Sequence, residues 1–455
     1  MDELAIAGPD LLGPLFYGET APRLFSDVAR LQAMLDFEAA LARAEAGVGI
    51  IPATAVEPVA AQCRAELYDI AALARATATA GNPAIPMVKA LTEKVKARDA
   101  EAARYVHWGA TSQDVIDTGL VLQLRQLLDL LEADLGRLSA ALAKLADEHR
   151  RTPMVGRTWL QHALPVTLGL KAAGWLDVIE RHRLRLQEIR PRLLVLQFGG
   201  AAGTLAALGD RGLAVADALA VELKLAAPVL PWHTARDRLV EFGCWLGLLT
   251  GSLGKVAGDV ALMMQTDVAE AFEPAGPGRG GSSTMPHKRN PVTGAVVLAA
   301  ATRAPQLVAT LLAGMNQQHE RGLGGWHAEW VALPEVAQLT AGALAHMAET
   351  MTGLEIDAAR MRSNLDATNG LIMAEAVMMA LGAKMGRLAA HDHVEECCRR
   401  AASENRHLRD VLAGDDEIMK HLSAAELDRL FDPLNYIGAA PDMVERALAA
   451  RRKQD

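Results

Sequence analysis

The chain has 455 residues, 51% of them apolar and 22% charged, enough for about three domains around a large core that needs no staples. Lys and Arg number 46 against 55 Asp and Glu, a net charge of −9, which argues against nucleic acid as the main partner but allows a small anion in a locally positive pocket. No uninterrupted apolar run of about 18 residues stands out, so no membrane span is expected, and the acidic start MDELAIAGPDLLGP lacks the basic segment of a signal peptide.

Aromatic residues make up 4% and the apolar content is mostly Ala and Leu, so the composition predicts an all-α fold. Shorter helices, broken by Pro and Gly, are predicted over 28–46, 55–63, 68–80 and 84–97. A long helix follows. Leu124, Leu128, Leu131, Leu135, Leu138, Leu142 and Leu145 alternate at spacings of four and three, a heptad seam. From near Ser112 to near Arg150 such a helix spans about 55 Å, a length that suits a bundle.

A second long helix is predicted from Pro165 to just before Pro191, and a third over 235–270 with glycines mostly three or four apart. A fourth opens after Pro291 and a fifth after Pro334. Shorter helices follow near 357–364, 371–382, 384–404 and 424–431. The expected plan is an N-terminal helical domain (1–110), a central long-helix bundle (111–352) and a C-terminal helical domain (353–455).

Four cysteines, Cys63, Cys244, Cys397 and Cys398, make no disulfide framework and point to a reduced, cytoplasmic setting. His393 and Cys397 are spaced i, i+4 beside His391 and Cys398. No second ligand pair stands near in sequence, and adjacent cysteines face different ways on a helix. Helix packing is the expectation there, not a metal site.

Three polar stretches interrupt the helical pattern: His107–Asp114, Gly156–His162 and Glu273–Pro291. In the first, Thr111 and Asp114 fit a helix cap. The same geometry suits an anion, because free amides at the positive end of a helix, the Thr111 and Ser112 hydroxyls and His107 can all act as donors. The third, EPAGPGRGGSSTMPHKRNP, contains G-x-G-x-x-G at Gly276, Gly278 and Gly281. A dinucleotide site is not expected, since no strand precedes it and no helix follows directly. A long glycine-rich loop of this kind reads as a lid or site segment ending in Ser282, Ser283, Lys288 and Asn290, with Met285 and Pro286 anchoring its far side.

Gly281–Pro291, GSSTMPHKRNP, resembles the G-S-S-x-M-P-x-K-x-N-P motif of the fumarase/aspartase superfamily. His107–Asp117 is similar to that family's first shared region and Gly156–Pro165 to its second. The resemblance runs through essentially the whole chain. It implies a three-domain, all-α fumarase/aspartase-like fold with a central long-helix bundle. Within the superfamily the likeness is strongest to the bacterial 3-carboxy-cis,cis-muconate cycloisomerases, across Ala103–Asp114, Val155–Ala163, Arg190–Ala201, Phe272–Val292 and Gly324–Trp330.

The superfamily moves a proton at a carbon beside a carboxylate, and the extra charge that develops there needs fixed positive charge and donors. The resemblance makes Ser282 the carbon acid/base and Lys288 its catalytic partner, because a serine hydroxyl is a base only in a positive environment. The alternative for Ser282 is a hydrogen bond within the glycine loop. Expected substrate-binding residues are His107, Thr111, Ser112, Trp159, Gln161, Ser283, Asn290 and Arg321. Arg289 and Arg157 are further candidates for a substrate carboxylate, Arg157 also as a structural cap, and His162 for a hydrogen bond.

Fumarases, argininosuccinate lyases and adenylosuccinate lyases carry His after G-R-T, where this chain has Trp159. Indole transfers no proton at neutral pH. A carboxylate, with a pKa of about 4, leaves or attacks without an acid, as in lactone formation from a muconate. Trp159 then either packs against the flat diene or is a core residue. Adenylosuccinate lyases also place Glu at the position of Ala295. The resemblance implies a small polycarboxylate substrate, no cofactor or metal, no nucleic-acid or membrane partner, and a homotetramer with sites shared between chains. The rivals are another superfamily lyase acting on a succinyl-type substrate, and a helical scaffold without activity, as in some lens crystallins.

Overall fold

The computed structural model describes residues 11–453 apart from Pro277 and Ser283. The structure is predominantly helical, and its helices begin where the local chemistry directs. Ser26 caps Asp27–Val48 by accepting from Ala29 N, and Gly49 ends that helix at φ 80°. Asp69 caps Ile70–Ala80 in the same way. Ala84–Lys96 completes the expected early set.

The long helix runs Ser112–Glu148, and all seven leucines of the heptad seam are buried. The others are Leu168–Leu193, Asp237–Met263, Val292–Gly314 and Gly325–Thr352. Three of these helices differ from expectation in their boundaries. Pro165 lies in a strand, and the second helix starts at Leu168 and carries Pro191 in its last turn. The third stops at Met263, short of residue 270. The fifth starts nine residues before Pro334, which sits inside it. Proline removes one hydrogen bond there, but Leu333, Val336, Ala337 and Leu339 are buried, and packing outweighs the local cost. Among the helices that the sequence did not predict are Gly212–Leu223 and Ala440–Arg452.

The described residues form two compact units. One takes the chain up to Leu135, His182–Gly254 and Val296–Met347, and the other takes Gly136–Arg181, Lys255–Ala295 and the chain from Ala348. In the first, the glycine face of Asp237–Met263 is a packing surface. A Cβ on Gly243, Gly247 or Gly254 would meet Leu311, Val308 or Ala301 within 3 Å.

The second unit holds a hairpin that the composition argument missed. Pro153–Thr158 pairs antiparallel with Gln161–Thr167, with a bulge between Val155 and Arg157. Trp159 and Leu160 form its two-residue turn, at φ 53° and 64°. Both central residues are left-handed, as in a type I′ turn, without the Asn or Gly that normally makes this easy. The unit also holds an apolar core of C-terminal helices that includes Val394, Cys397, Leu408 and Val411. A two-residue strand, Ala271–Phe272, paired with Glu355–Ile356, does precede the glycine-rich loop. The next helix starts only at Val292.

By length and composition, Asp237–Met263 and Val292–Gly314 are apolar enough to cross a bilayer. Glycines, hydroxyl residues and a few charges interrupt the apolar run in both, while the mean hydropathy of the window stays at 1.2 in the first and 1.5 in the second. Half of the apolar window is buried in the first and 28% in the second.

Candidate active site

In the first unit the polar residues gather at the start of Ser112–Glu148. His107 and Gly109 make the entry turn at φ 57° and 71°, and a Cβ on Gly109 would meet Leu208 at 2.7 Å. Asp114 is wholly buried. Its Oδ1 accepts from Gln197 Nε2 at 3.1 Å and Gly199 N at 3.0 Å, and lies 2.8 Å from His233 Nε2. Its Oδ2 accepts from Thr111 N at 3.1 Å and Gly200 N at 2.9 Å. A carboxylate so fully hydrogen-bonded fixes the helix start and leaves the Thr111 hydroxyl for another partner.

That partner is Arg321. Its Nη2 donates to Thr111 Oγ1 at 3.0 Å and to Ala201 O at 3.1 Å, and its Nε donates to Gln113 Oε1 at 3.2 Å. All three acceptors are neutral, so the guanidinium charge is left for an anion. Ser112 is half-buried. His107 Nδ1 stands 2.5 Å from Glu38 Oε1.

Behind them lies a buried ionic cluster. Arg236 bonds Asp117 through Nη1 (2.7 Å) and Nη2 (3.1 Å), and Glu329 through Nη2 (2.5 Å) and Nε (3.1 Å). Trp326 Nε1 donates to Asp117 at 2.9 Å, and Gln113 Nε2 to the same carboxylate at 3.1 Å. Removing one member of such a set leaves an uncompensated buried charge, at about 3–5 kcal/mol. The cluster therefore holds Gln113, and through it Arg321.

In the second unit, Arg157 and the wholly buried Glu270 form a two-pronged pair at 2.9 and 2.7 Å. Asn364 Nδ2 also donates to Glu270, at 2.8 Å. Arg157 is thus a structural residue in this fold, and burial together with its charge pushes the His162 imidazole below its ordinary value. Trp159 is 97% exposed at the hairpin tip, which removes the core reading. Gln161, which pairs with Thr158 at the end of the hairpin, is exposed as well.

The loop from Glu273 is tied at several points. Glu273 accepts from Thr293 N at 3.0 Å and Gly294 N at 2.7 Å, so the N-terminus of Val292–Gly314 already has its anion. Arg289 donates to Glu355 at 2.9 Å and to Glu273 O at 2.7 Å, and stacks over Phe272. It too is engaged rather than free for substrate. Asn290 Nδ2 donates to Gly280 O at 3.2 Å and Gly281 O at 3.3 Å. Met285 and Pro286 are exposed, so the loop is held by Glu273, Arg289 and Asn290 and not by those two.

Ser282 Oγ accepts from Met285 N at 3.0 Å and Thr284 N at 3.3 Å. Lys288 is exposed, and its ammonium has no ion pair or hydrogen bond among the described residues. Ser283 lies outside the described residues. The structure thus groups the expected residues in three sets: Thr111 in direct contact with Arg321, with His107 and Ser112 on the same turn; Trp159 and Gln161 at the hairpin end; and Ser282, Lys288 and Asn290 on the loop. Sequence reasoning did not single out Glu38, Arg236, Glu270 or Glu329. The available signal was a charged residue in an apolar setting: Glu38 lies among Leu31, Met34, Leu35, Phe37 and Leu41, all buried.

Comparison with known proteins gives two family matches. A family described as "Lyase" matches residues 17–305, and one described as "Adenylosuccinate lyase C-terminus" matches 370–447. A 3-carboxy-cis,cis-muconate cycloisomerase of Pseudomonas aeruginosa is 65% identical over 94% of this chain and 93% of its own. A protein of the same name from Bradyrhizobium diazoefficiens is 58% identical over 96% and 97%. The crystal structure of 3-carboxy-cis,cis-muconate lactonizing enzyme from Pseudomonas putida superposes with a TM-score of 0.94, at 56% identity, over 97% of this chain and 99% of that one.

Proposed function

The chain belongs to the fumarase/aspartase superfamily and is an enzyme of it, and from that premise we propose that it closes 3-carboxy-cis,cis-muconate to 4-carboxymuconolactone, a step in protocatechuate (β-ketoadipate) catabolism. One terminal carboxylate of the substrate attacks the carbon bearing the extra carboxyl group. The adjacent carbon, α to the other terminal carboxylate, takes a proton from Ser282. One C–O bond and one C–H bond form as one C=C π bond and the Ser282 O–H bond are lost; solvent then returns a proton to the serine oxygen, so the net reaction is an isomerisation.

The observation that carries this reading is the state of Ser282. Two backbone N–H groups point at its oxygen, and Lys288, whose ammonium has no ion pair or hydrogen bond among the described residues, stands six residues on in the same loop. Amide donors lower the cost of the serine anion left after proton donation, and so does a cation brought to it from the same loop. The same donors favour the extra charge on the substrate carboxylate. Attack is intramolecular, so the remaining work is holding the reactive conformer. Arg321, Thr111, Ser112 and His107 hold carboxylates, and Asn290 shapes the loop. Trp159 and Gln161 are presented to the diene and its acid groups. The attacking oxygen is already charged, which suits an indole at position 159.

The three sets of residues are read as converging from different chains of a homotetramer. Exposed apolar positions on the long helices support this assembly: Leu248 and Leu262 on Asp237–Met263, and Leu298 and Leu312 on Val292–Gly314. The rival reading, a lyase releasing fumarate from a succinyl-type substrate, is decided by the same preparation. Purified protein mixed with 3-carboxymuconate is expected to abolish the ultraviolet absorbance of the conjugated diene. Fumarate release from argininosuccinate or adenylosuccinate, with the muconate untouched, overturns the proposal.

A further inference from the structure

The Asp27–Val48 helix carries two acids seven residues apart and so on one face, Glu38 and Glu45. Both are buried, at 1% and 0% exposure. Glu38 Oε1 meets Nδ1 of His107, 69 residues away in the chain. The other oxygen of Glu38 and both oxygens of Glu45 are buried with no hydrogen-bond partner among the described residues. Neither acid has a role in the reaction described above.

Two carboxylates in such a place do not both ionise. Burial, and then the charge of Glu38, pushes Glu45 up to about 9, so at neutral pH it is a neutral acid. The acid with a cationic partner in reach is Glu38, whose Oε1 lies 2.5 Å from His107 Nδ1. Burial opposes a charged imidazole, but the charge and hydrogen bond of Glu38, aided by Asp114, prevail and raise it above its ordinary value. The remaining groups near Glu38 do not compete. Burial pushes up Cys63, which also feels Asp36 and Arg43, and burial pushes up Tyr68, so both stay neutral. With Nδ1 taken, Nε2 is the ring's remaining donor, and it has no hydrogen bond among the described residues.

We propose that Glu38 is a positioning residue for the substrate site: by gripping Nδ1 of His107 it fixes the ring, favours its charged form and aims Nε2–H at a substrate carboxylate. A tricarboxylate then finds a further cation besides Lys288 and Arg321, built from a buried pair rather than from a flexible side chain. The inference rests on reading His107 as a substrate ligand.

The test is Glu38→Gln, which keeps size and removes charge, in the full-length protein. Nuclear magnetic resonance of carbon-13-labelled histidine, with His107→Gln to assign the signal, reads the ring directly and without substrate. The His107 titration is expected to fall by about one unit or more in Glu38→Gln, the loss of one charged partner. On 3-carboxymuconate the alkaline limb of the kcat/KM profile should move down with it, with KM at pH 8 rising about tenfold and kcat changing less. In the His107→Gln background, Glu38→Gln should add nothing.

An unmoved His107 titration overturns the proposal, as does an equal loss of activity with and without His107. If Glu38→Gln does not fold, Glu38→Asp replaces it, with a smaller shift in the same direction expected and an unchanged titration again overturning the idea. A shifted titration in a protein that leaves the muconate untouched supports the coupling and rejects the cycloisomerase reading instead.

Discussion

Asn290 closes the glycine-rich loop on Gly280: its backbone N–H and its side-chain amide both donate to the Gly280 carbonyl oxygen, at 2.8 and 3.2 Å. The two ends of the segment that carries Ser282 and Lys288 are thereby tied together. Gly280 has φ 67°, and a Cβ there would sit 2.9 Å from Asn290 O.

Gly280→Ala therefore meets both backbone strain and a clash. Strain of this kind costs about 1–3 kcal/mol, enough for a tenfold or greater loss of kcat/KM. The loop is exposed, so the melting temperature should stay within a few degrees. Wild-type turnover in this variant would separate this tie from catalysis.

Ser282→Ala removes the proposed proton donor and leaves the fold alone. Turnover is expected to fall about 10²–10⁴-fold, with the oligomer intact by size-exclusion chromatography. Near-normal activity would take Ser282 out of the reaction.

Trp159→His restores the residue that fumarases and adenylosuccinate lyases carry. The attacking carboxylate is already charged and has no use for an acid or base at that position. No gain in lactonisation rate is expected, and a large one would contradict the mechanism.

Glu45 gives the stability a pH dependence of known sign. Its value rises from 4.5 to about 9 on folding, so between these pH values the native state keeps a proton that the unfolded chain has shed. Stability then falls as pH rises, by up to about 1.4 kcal/mol per pH unit. His107 adds to the same slope, since its raised folded value gives a stabilisation present at low pH and lost as pH climbs through that value. Glu45→Gln should flatten melting temperature against pH from 5 to 9 and raise it at pH 8. A variant curve parallel to the wild type would show that Glu45 is ionised in the folded protein.

Several features of this protein are determined by local sequence alone. The leucines from 124 to 145 specify the long helix, because burial of a helical stripe leaves a period that needs no knowledge of the partner. Ser26, Asp69 and the Thr111–Asp114 pair mark helix starts, since caps act over three residues. The segment Gly281–Pro291 declares its family, since its residues are neighbours in the chain. Tertiary structure alone decided what each charge does. Arg157, Arg289 and Arg321 look alike in sequence, yet two are bound to Glu270 and Glu355 and one meets, among the described residues, only neutral oxygens. Glu38 finds His107 across 69 residues, and Asp117 finds Arg236 across 119. The hairpin with Trp159 at its tip, and Pro165 within a strand, came from pairing rather than propensity. Electrostatic roles depend on distance and burial in space, and no pattern along the chain records those.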